Sequence, residues 1–389
     1  MRVHGLSDFY GNIALAFGHF KVLDEYPARS GQVGASGAME TMTGAETASV
    51  LLNLRINPDL AEQERYNRIL EKFKAFYPRF TNVGAIDVSP GSRQADVHFL
   101  DKDAPKPLSL AQVSPGVQRT LTLITNLEAR QGLLLFLQSP EMHLHPHLMR
   151  MMDTLIQESS RVNQIIVTTH EPYFVDPNKP SRIRRFWWQP KLGTHVRRLE
   201  VENEKKLAQA YTVLKKLSVR EVVFARAVLL VEDESLQEFL TVIAPKLNRW
   251  LDRSGVSIID TGGHGGHAAH HVLLDSLGIP HVNLRDKPWG EEKRYPKDRF
   301  FSLGAEFEEF MDGRGFVEMR HRLAKALGVR NERDNHRRVA RAMGEEMKTG
   351  DVPPIFLEVL ARVEEIATGE PATIPPQPTT GEGAPELSA

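Results

Sequence analysis

The sequence predicts an α/β protein: two successive parallel sheets, then a helical C-terminal extension. Three observations carry this. Short apolar runs of strand length, at 133–137, 165–167, 227–231, 256–259 and 279–284, alternate with amphipathic stretches of helix length. Each run gives way to polar residues, and the carboxyl ends of parallel strands are where such sheets gather ligands. Residues 315–368 then read as helix throughout.

Composition sets bounds. A chain of 389 residues holds two or three domains, and 41% hydrophobic with 25% charged residues is ordinary for a globular protein. The formal net charge of −1 provides no overall basic field, so any DNA contact must come from a local patch. The absence of cysteine excludes disulfides, zinc–thiolate sites and thiol catalysis, and suits a cytoplasmic protein. No apolar run approaches the ~18–20 residues of a membrane span, and no leader-like start is read.

In chain order, residues 1–50 carry little pattern, and the Gly-, Ser- and Thr-rich stretch 31–44 is expected to be a mobile loop. Residues 59–77 form an amphipathic helix with Tyr66, Ile69, Leu70, Phe73 and Tyr77 on one face. Stretches 84–89 and 94–100 alternate as a hairpin joined near Pro90-Gly91. Ser114 can cap a helix with Pro115 at its first position and Val117, Leu121, Ile124 and Leu127 at helical spacing. The run 133–137 is expected to be a strand buried on both faces. Leu148, Met151, Met152 and Leu155 stripe the next helix, and 165–167 is a second buried strand ending in Thr168, Thr169 and His170.

This half resembles the second part of an ABC-type ATPase domain, of the SMC-like kind that heads the overcoming-lysogenization-defect (OLD) nucleases. Ser114-Pro-Gly-Val-Gln-Arg119 matches the signature motif, Gln138-Ser-Pro-Glu-Met-His-Leu-His-Pro146 matches Walker B with its tail, and His170 matches the switch histidine. The resemblance implies nucleotide binding through Ser114, Gly116, Gln138, Ser139 and His170, with ATP as ligand. Two departures stand out. Uncharged Gln138 and Ser139 occupy the Asp-Glu positions, which hold the cation and orient water in the family. No Gly-x-x-x-x-Gly-Lys-Ser/Thr loop occurs in the sequence. The expectation is weak or no ATP hydrolysis by this chain alone, which is either a truncated product or a half-domain that works with a Walker-A-bearing partner.

Residues 183–188 and 195–199 are strands, with Trp187-Trp188 and Arg182, Arg184, Arg185, Arg197 and Arg198 nearby. An ordinary aromatic strand with a charge-blunted edge is the expectation; base stacking and phosphate contact are the sharper alternative. Residues 202–217 are a polar connector helix. A new unit opens at Ala225: strand 227–231 ends in Glu232-Asp-Glu-Ser235, strand 256–259 in Thr261-Gly-Gly-His-Gly-Gly266, and strand 279–284 in Arg285-Asp286.

This unit resembles a TOPRIM domain, the metal-dependent fold of topoisomerases, primases and OLD nucleases. Glu232, Gly262-Gly263, Asp286 and Glu308 match its motifs, so the resemblance implies Glu232, Asp286 and Glu308 as ligands of Mg²⁺ or Mn²⁺. Glu232, Asp286 and the basic His336 are the implied catalytic groups. Pro288 replaces the second Asp of the Asp-x-Asp pair, Leu236 an acidic position and Asp233 a turn glycine. His264, His267, His270 and His271 are expected to be solvated or phosphate-facing rather than transition-metal ligands. Arg314, Arg320, Arg322, Arg330, Arg333, Arg337, Arg338 and Arg341 are the best local candidate for a DNA-phosphate patch. Pro353-Pro354 opens a last helix, and from Thr368 the composition is that of disorder.

The order of motifs implies an OLD-like architecture: residues 1–222 an ATPase-like domain lacking the Walker A lobe, 223–314 a TOPRIM domain, 315–368 a helical extension and 369–389 a disordered tail. The implied function is an ATP-linked, metal-dependent DNA endonuclease in phage defence or DNA repair. The alternative is a degenerate structural or regulatory subunit that dimerises through the ATPase fold. DNA and a second subunit, as homodimer or hetero-oligomer, are the implied partners, with no membrane.

Overall fold

The computed structural model describes residues 20–23, 31–32, 44–87, 94–129, 131–189, 192–199, 204–263, 266–288, 296–329 and 332–369. The chain divides into two compact units, Met1–Phe174 and Val175–Ala389. The expected loop at 31–44 and the expected disordered tail lie largely outside the described residues.

In the first unit, β1 (Phe20–Leu23) and β2 (Gly31–Gln32) precede two helices, α1 (Gly44–Ile56) and α2 (Leu60–Phe76). Asp59 starts α2 because its carboxylate accepts the Ala61 N–H at 2.9 Å. The hairpin is longer than its alternation suggests: β3 (Phe80–Asp87) pairs antiparallel with β4 (Gln94–Asp101), and β2 and β5 (Leu108–Ser109) flank β4. Phe73, Phe80 and Phe99 meet at centroid distances of 5.3–5.9 Å and lock α2 onto this sheet. Next come α3 (Pro115–Ala129), β6 (Leu134–Gln138), α4 (Pro146–Ser159) and β7 (Gln164–Thr168). β1, β6 and β7 form a parallel sheet in the order β1-β6-β7. β6 and β7 are not buried on both faces as expected. Leu135 and Leu137 are sealed against α3 and its neighbours, but Leu134 and Phe136 are half-buried and Ile166 is exposed. Apolar composition alone does not reveal which face of a strand is covered.

In the second unit, β8 (Arg184–Gln189) and β9 (Gly193–Arg198) form an antiparallel hairpin. α5 (Glu204–Leu214) is more than a connector, since Ala210, Val213 and Leu214 are buried in a core. α6 (Leu217–Glu221) leads into β10 (Ala227–Val231), α7 (Glu234–Lys246), α8 (Leu251–Ser254), β11 (Val256–Asp260), α9 (His267–Leu277), β12 (His281–Arg285) and β13 (Phe300–Ser302). The sheet is parallel throughout, in the order β11-β10-β12-β13. Strand alternation splits β10 between two cores. Ala227, Leu229 and Val231 pack with α7 and the C-terminal helices, while Val228 and Leu230 pack with α5 and α9. α10 (Phe307–Gly313), α11 (Val317–Ala326), α12 (Glu332–Glu346) and α13 (Pro354–Thr368) complete the unit. Phe356, Val359, Leu360 and Val363 of α13 are fully buried beneath the sheet, so the extension is one of its two covers. Of the apolar residues that the sequence places on this helix, Leu360 and Val363 are in the core, while Ile355, Leu357 and Ile366 flank it.

Candidate functional site

Parallel register decides where the acids stand. Val231 lies opposite both Asp260 and Leu284, so the residues that follow these strands emerge at one rim. Glu232 follows β10, and its carboxylate accepts the Asp286 N–H at 3.1 Å. Asp233, which replaces a turn glycine, caps α7 by accepting the Leu236 N–H at 2.9 Å. Behind β11, the Gly263 N–H donates to the Glu232 carbonyl at 2.8 Å, and its φ of +91° is one only glycine adopts without strain. Glu306 and Glu308 arrive at the start of α10.

The charges meet at Asp286. It is 5% exposed, and its Oδ1 is buried without a hydrogen-bond partner among the described residues. Burial first, then the carboxylates of Asp233, Glu232, Glu306 and Glu308, push its carboxyl up to about 8. A buried carboxylate oxygen without a donor, beside four other acids, fits a divalent cation, whose oxygen ligands need no N–H donor. Among the described residues no three His, Asp or Glu side chains already stand around one point at ligand spacing, so holding an ion requires side-chain rotation. Glu308 is also engaged: its Oε1 lies 2.8 Å from His336 Nδ1. The structure therefore brings Glu232 and Asp286 together directly, places Glu308 within electrostatic reach, and sets His336 behind Glu308. Glu306 and Asp233 belong to the same rim; the sequence singled out neither as a metal ligand.

The other strand ends carry little charge. Gly116 sits so close to the loop after β6 that a Cβ there would stand 2.6 Å from the His143 carbonyl. The Arg119 guanidinium, buried in α3, donates to the Gln138 carbonyl at 2.6 Å and the Ser139 carbonyl at 3.1 Å. Signature helix and Walker-B-like turn are thus tied together through backbone. Ser139 and His143 hold φ of +43° and +65°, costly for residues with a Cβ. Ser114, Gln138 and His170 are exposed, while Gly116 is buried. Glu141, two residues past Ser139, has a buried Oε2 without a hydrogen-bond partner among the described residues.

Two expectations need correction. His267, His270 and His271 are not solvated: each is buried, and His271 Nε2 lies 2.8 Å from Asn283 Oδ1. Burial first, with nearby positive charge second, pushes His267 down to about 2 and His271 down to about 3. These imidazoles stay neutral in the fold, so they oppose folding as pH drops below 6.5, where an unfolded chain takes up their protons. His264 lies outside the described residues. The C-terminal arginines, expected to meet phosphate, largely meet carboxylates. Arg337 and Arg341 of α12 bridge Glu234 and Glu238 of α7 at 3.1 and 3.0 Å. Arg320 pairs with Asp312, and Arg322 with Glu346. The side chains of Arg330 and Arg333 are outside the described set.

Comparison with known proteins adds an independent view. Residues 52–176 match the family model "AAA domain, putative AbiEii toxin, Type IV TA system". Residues 223–287 match "Overcoming lysogenization defect protein-like, TOPRIM domain". The chain thus carries an AAA-type match followed by an OLD-like TOPRIM match. The OLD nuclease of Thermus scotoductus is 28% identical over 257 residues, 58% of this chain and 47% of that protein. An uncharacterized protein of Methanocaldococcus jannaschii is 22% identical over 275 residues, 69% of this chain and 31% of that protein. The chain thus spans less than half the length of these curated relatives. The C-terminal region of the Burkholderia pseudomallei OLD protein covers 37% of this chain and 99% of its own at 17% identity, with a TM-score of 0.32. The TOPRIM match begins at residue 223 and ends at Lys287, just past the acidic rim's Asp286, whereas the compact units divide at 174/175. TOPRIM domains as a class bind divalent metal. No described helix is long and apolar enough to cross a membrane.

Proposed function

We propose that this chain is the nuclease-bearing part of an OLD-type, metal-dependent DNA endonuclease. The observation that carries the reading is the buried, donor-less Oδ1 of Asp286 at the centre of a five-carboxylate rim. Glu232, Asp286 and Glu308 would hold Mg²⁺ or Mn²⁺, which when bound supplies charge to the scissile phosphate and its leaving oxygen. Glu232 is set by the Asp286 N–H, and His336 orients Glu308 and can move a proton at its Nε2. Residues 1–222 would act as an ATPase-type dimerisation domain, with 223–314 the TOPRIM domain and 315–368 its helical cover. Ser114, Gly116, Gln138, Ser139 and His170 would line a nucleotide face completed by a Walker-A-bearing partner or second copy. With Gln138 and Ser139 uncharged, that face would bind or relay rather than hydrolyse. The same substitution favours a second reading, a regulatory or structural subunit without turnover.

Supercoiled plasmid with Mn²⁺ or Mg²⁺, set beside the Glu232→Ala variant, separates the two readings. Metal-dependent nicking by the natural chain and none by the variant supports the nuclease. Equal nicking by both, or none by either, leaves the regulatory reading.

A further inference from the structure

The β8–β9 hairpin has two unlike faces. Its inner face is committed to the unit: Arg185 is buried, its guanidinium donating to the Val223 carbonyl at 3.1 Å and the Ala225 carbonyl at 2.8 Å. Trp187 lies on the same side, under Arg185 at 5.0 Å and stacked on His195 at 5.2 Å. Strand alternation sends Phe186 and Trp188 the other way, where they are 67% and 68% exposed. The cross-strand partner of Phe186 is Val196, itself 55% exposed, and the partner of Trp188 is Thr194. Arg184 and Arg198, paired opposite each other, close one end of this face.

Two exposed rings on adjacent same-face positions of one strand are about 6.7 Å apart along it. Large exposed aromatics are unfavourable unless something covers them. The surrounding charge says what. From 177 to 199 the sequence holds no Asp or Glu and seven Lys or Arg, of which Arg185 is committed to the inner face, in a chain whose formal net charge is −1. Rings on a sheet, framed by one sign of charge, suit unstacked bases with their phosphates along the rim. A duplex hides its base faces and offers such rings nothing. A protein partner would have to bring an acidic rim to match the same basic stretch.

We propose that the outward face of the β8–β9 hairpin, Phe186 and Trp188 with Arg184 and Arg198, is a docking platform for single-stranded DNA. The platform stands on the hairpin's geometry alone; that its strand is DNA rather than RNA rests on the nuclease reading. It feeds unpaired substrate to the protein without touching the acidic rim's chemistry.

The test is anisotropy of a fluorescent oligo-dT with the full chain in EDTA, so that cleavage plays no part. The platform predicts binding that weakens at least tenfold in Phe186→Ala/Trp188→Ala, and a shallower salt dependence in Arg184→Gln/Arg198→Gln. Trp250→Ala, another exposed aromatic of the same unit, leaves binding unchanged. Absence of oligo-dT binding in the natural chain, or equal affinity in the aromatic double variant, overturns the proposal. So does a change in oligomeric mass of that variant with unchanged oligo-dT affinity, which would make the face a protein interface. Failure of the nuclease reading shows separately, as plasmid left intact with metal while oligo-dT still binds in EDTA.

Discussion

The two parallel sheets end in opposite ways. At the ends of β6 and β7, the uncharged Gln138 and Ser139 offer their backbone carbonyls to Arg119, which holds the turn. At the ends of β10 and β12, Glu232 and Asp286 are joined by one backbone hydrogen bond and surrounded by further acids. The same topological place serves for position in the first unit and for charge in the second. Strand order thus fixes where a ligand can sit, and the side chains at the rim decide which ligand is worth holding.

That contrast can be broken experimentally, most severely at the acidic rim. Asp286→Ala is expected to lower metal-dependent plasmid nicking by roughly a hundredfold or more, because among the described residues no other carboxylate of the rim is as buried; Gln138→Ala should leave nicking within about twofold if the first unit lends only position. Next comes a stability test. The raised Asp286 carboxyl favours the protonated fold, so stability without metal falls as pH rises from its ordinary 3.8 through about 8. Asp286→Asn should therefore melt several degrees higher than the natural chain at pH 8 in EDTA, and gain nothing from Mn²⁺, as differential scanning fluorimetry would show. A natural chain that melts higher at pH 8 than at pH 7 in EDTA, above the range in which the buried histidines oppose folding, would weigh against this.

In the first unit, Gly116→Ala should cost about 1–3 kcal/mol, since its methyl would press on the His143 carbonyl and push the turn from the signature helix. The smallest expected effect is opposite in sign. Ser139→Gly relieves a positive φ and should stabilise by up to about 1 kcal/mol in urea unfolding. Loss of stability there would mean that the Ser139 side chain itself holds the turn.

Much of this was legible beforehand because periodicity speaks directly to packing. The buried face of α3 and the strand β10 follow from the spacing of Val117, Leu121, Ile124 and Leu127 and from the run at 227–231. Partners distant in sequence were not legible. Nothing near Arg337 and Arg341 announces that Glu234 and Glu238, about a hundred residues earlier, will align with them when α12 lies along α7. The histidines misled because a glycine-rich approach suggests solvent, whereas α9 buries His267, His270 and His271, with His271 against Asn283 on β12. Asp233 read as a defect in a turn, and its capping of α7 emerges only with the helix in place.

The fourth of the closing helices, α13, lies under the strand that delivers Glu232. Proteolytic clipping or a premature stop codon before Pro354 would strip the floor from β10 and disarm the acidic edge from a distance, with every carboxylate still encoded. A fragment meant to keep that edge intact must therefore extend to Gly369, however dispensable its final turns look on paper.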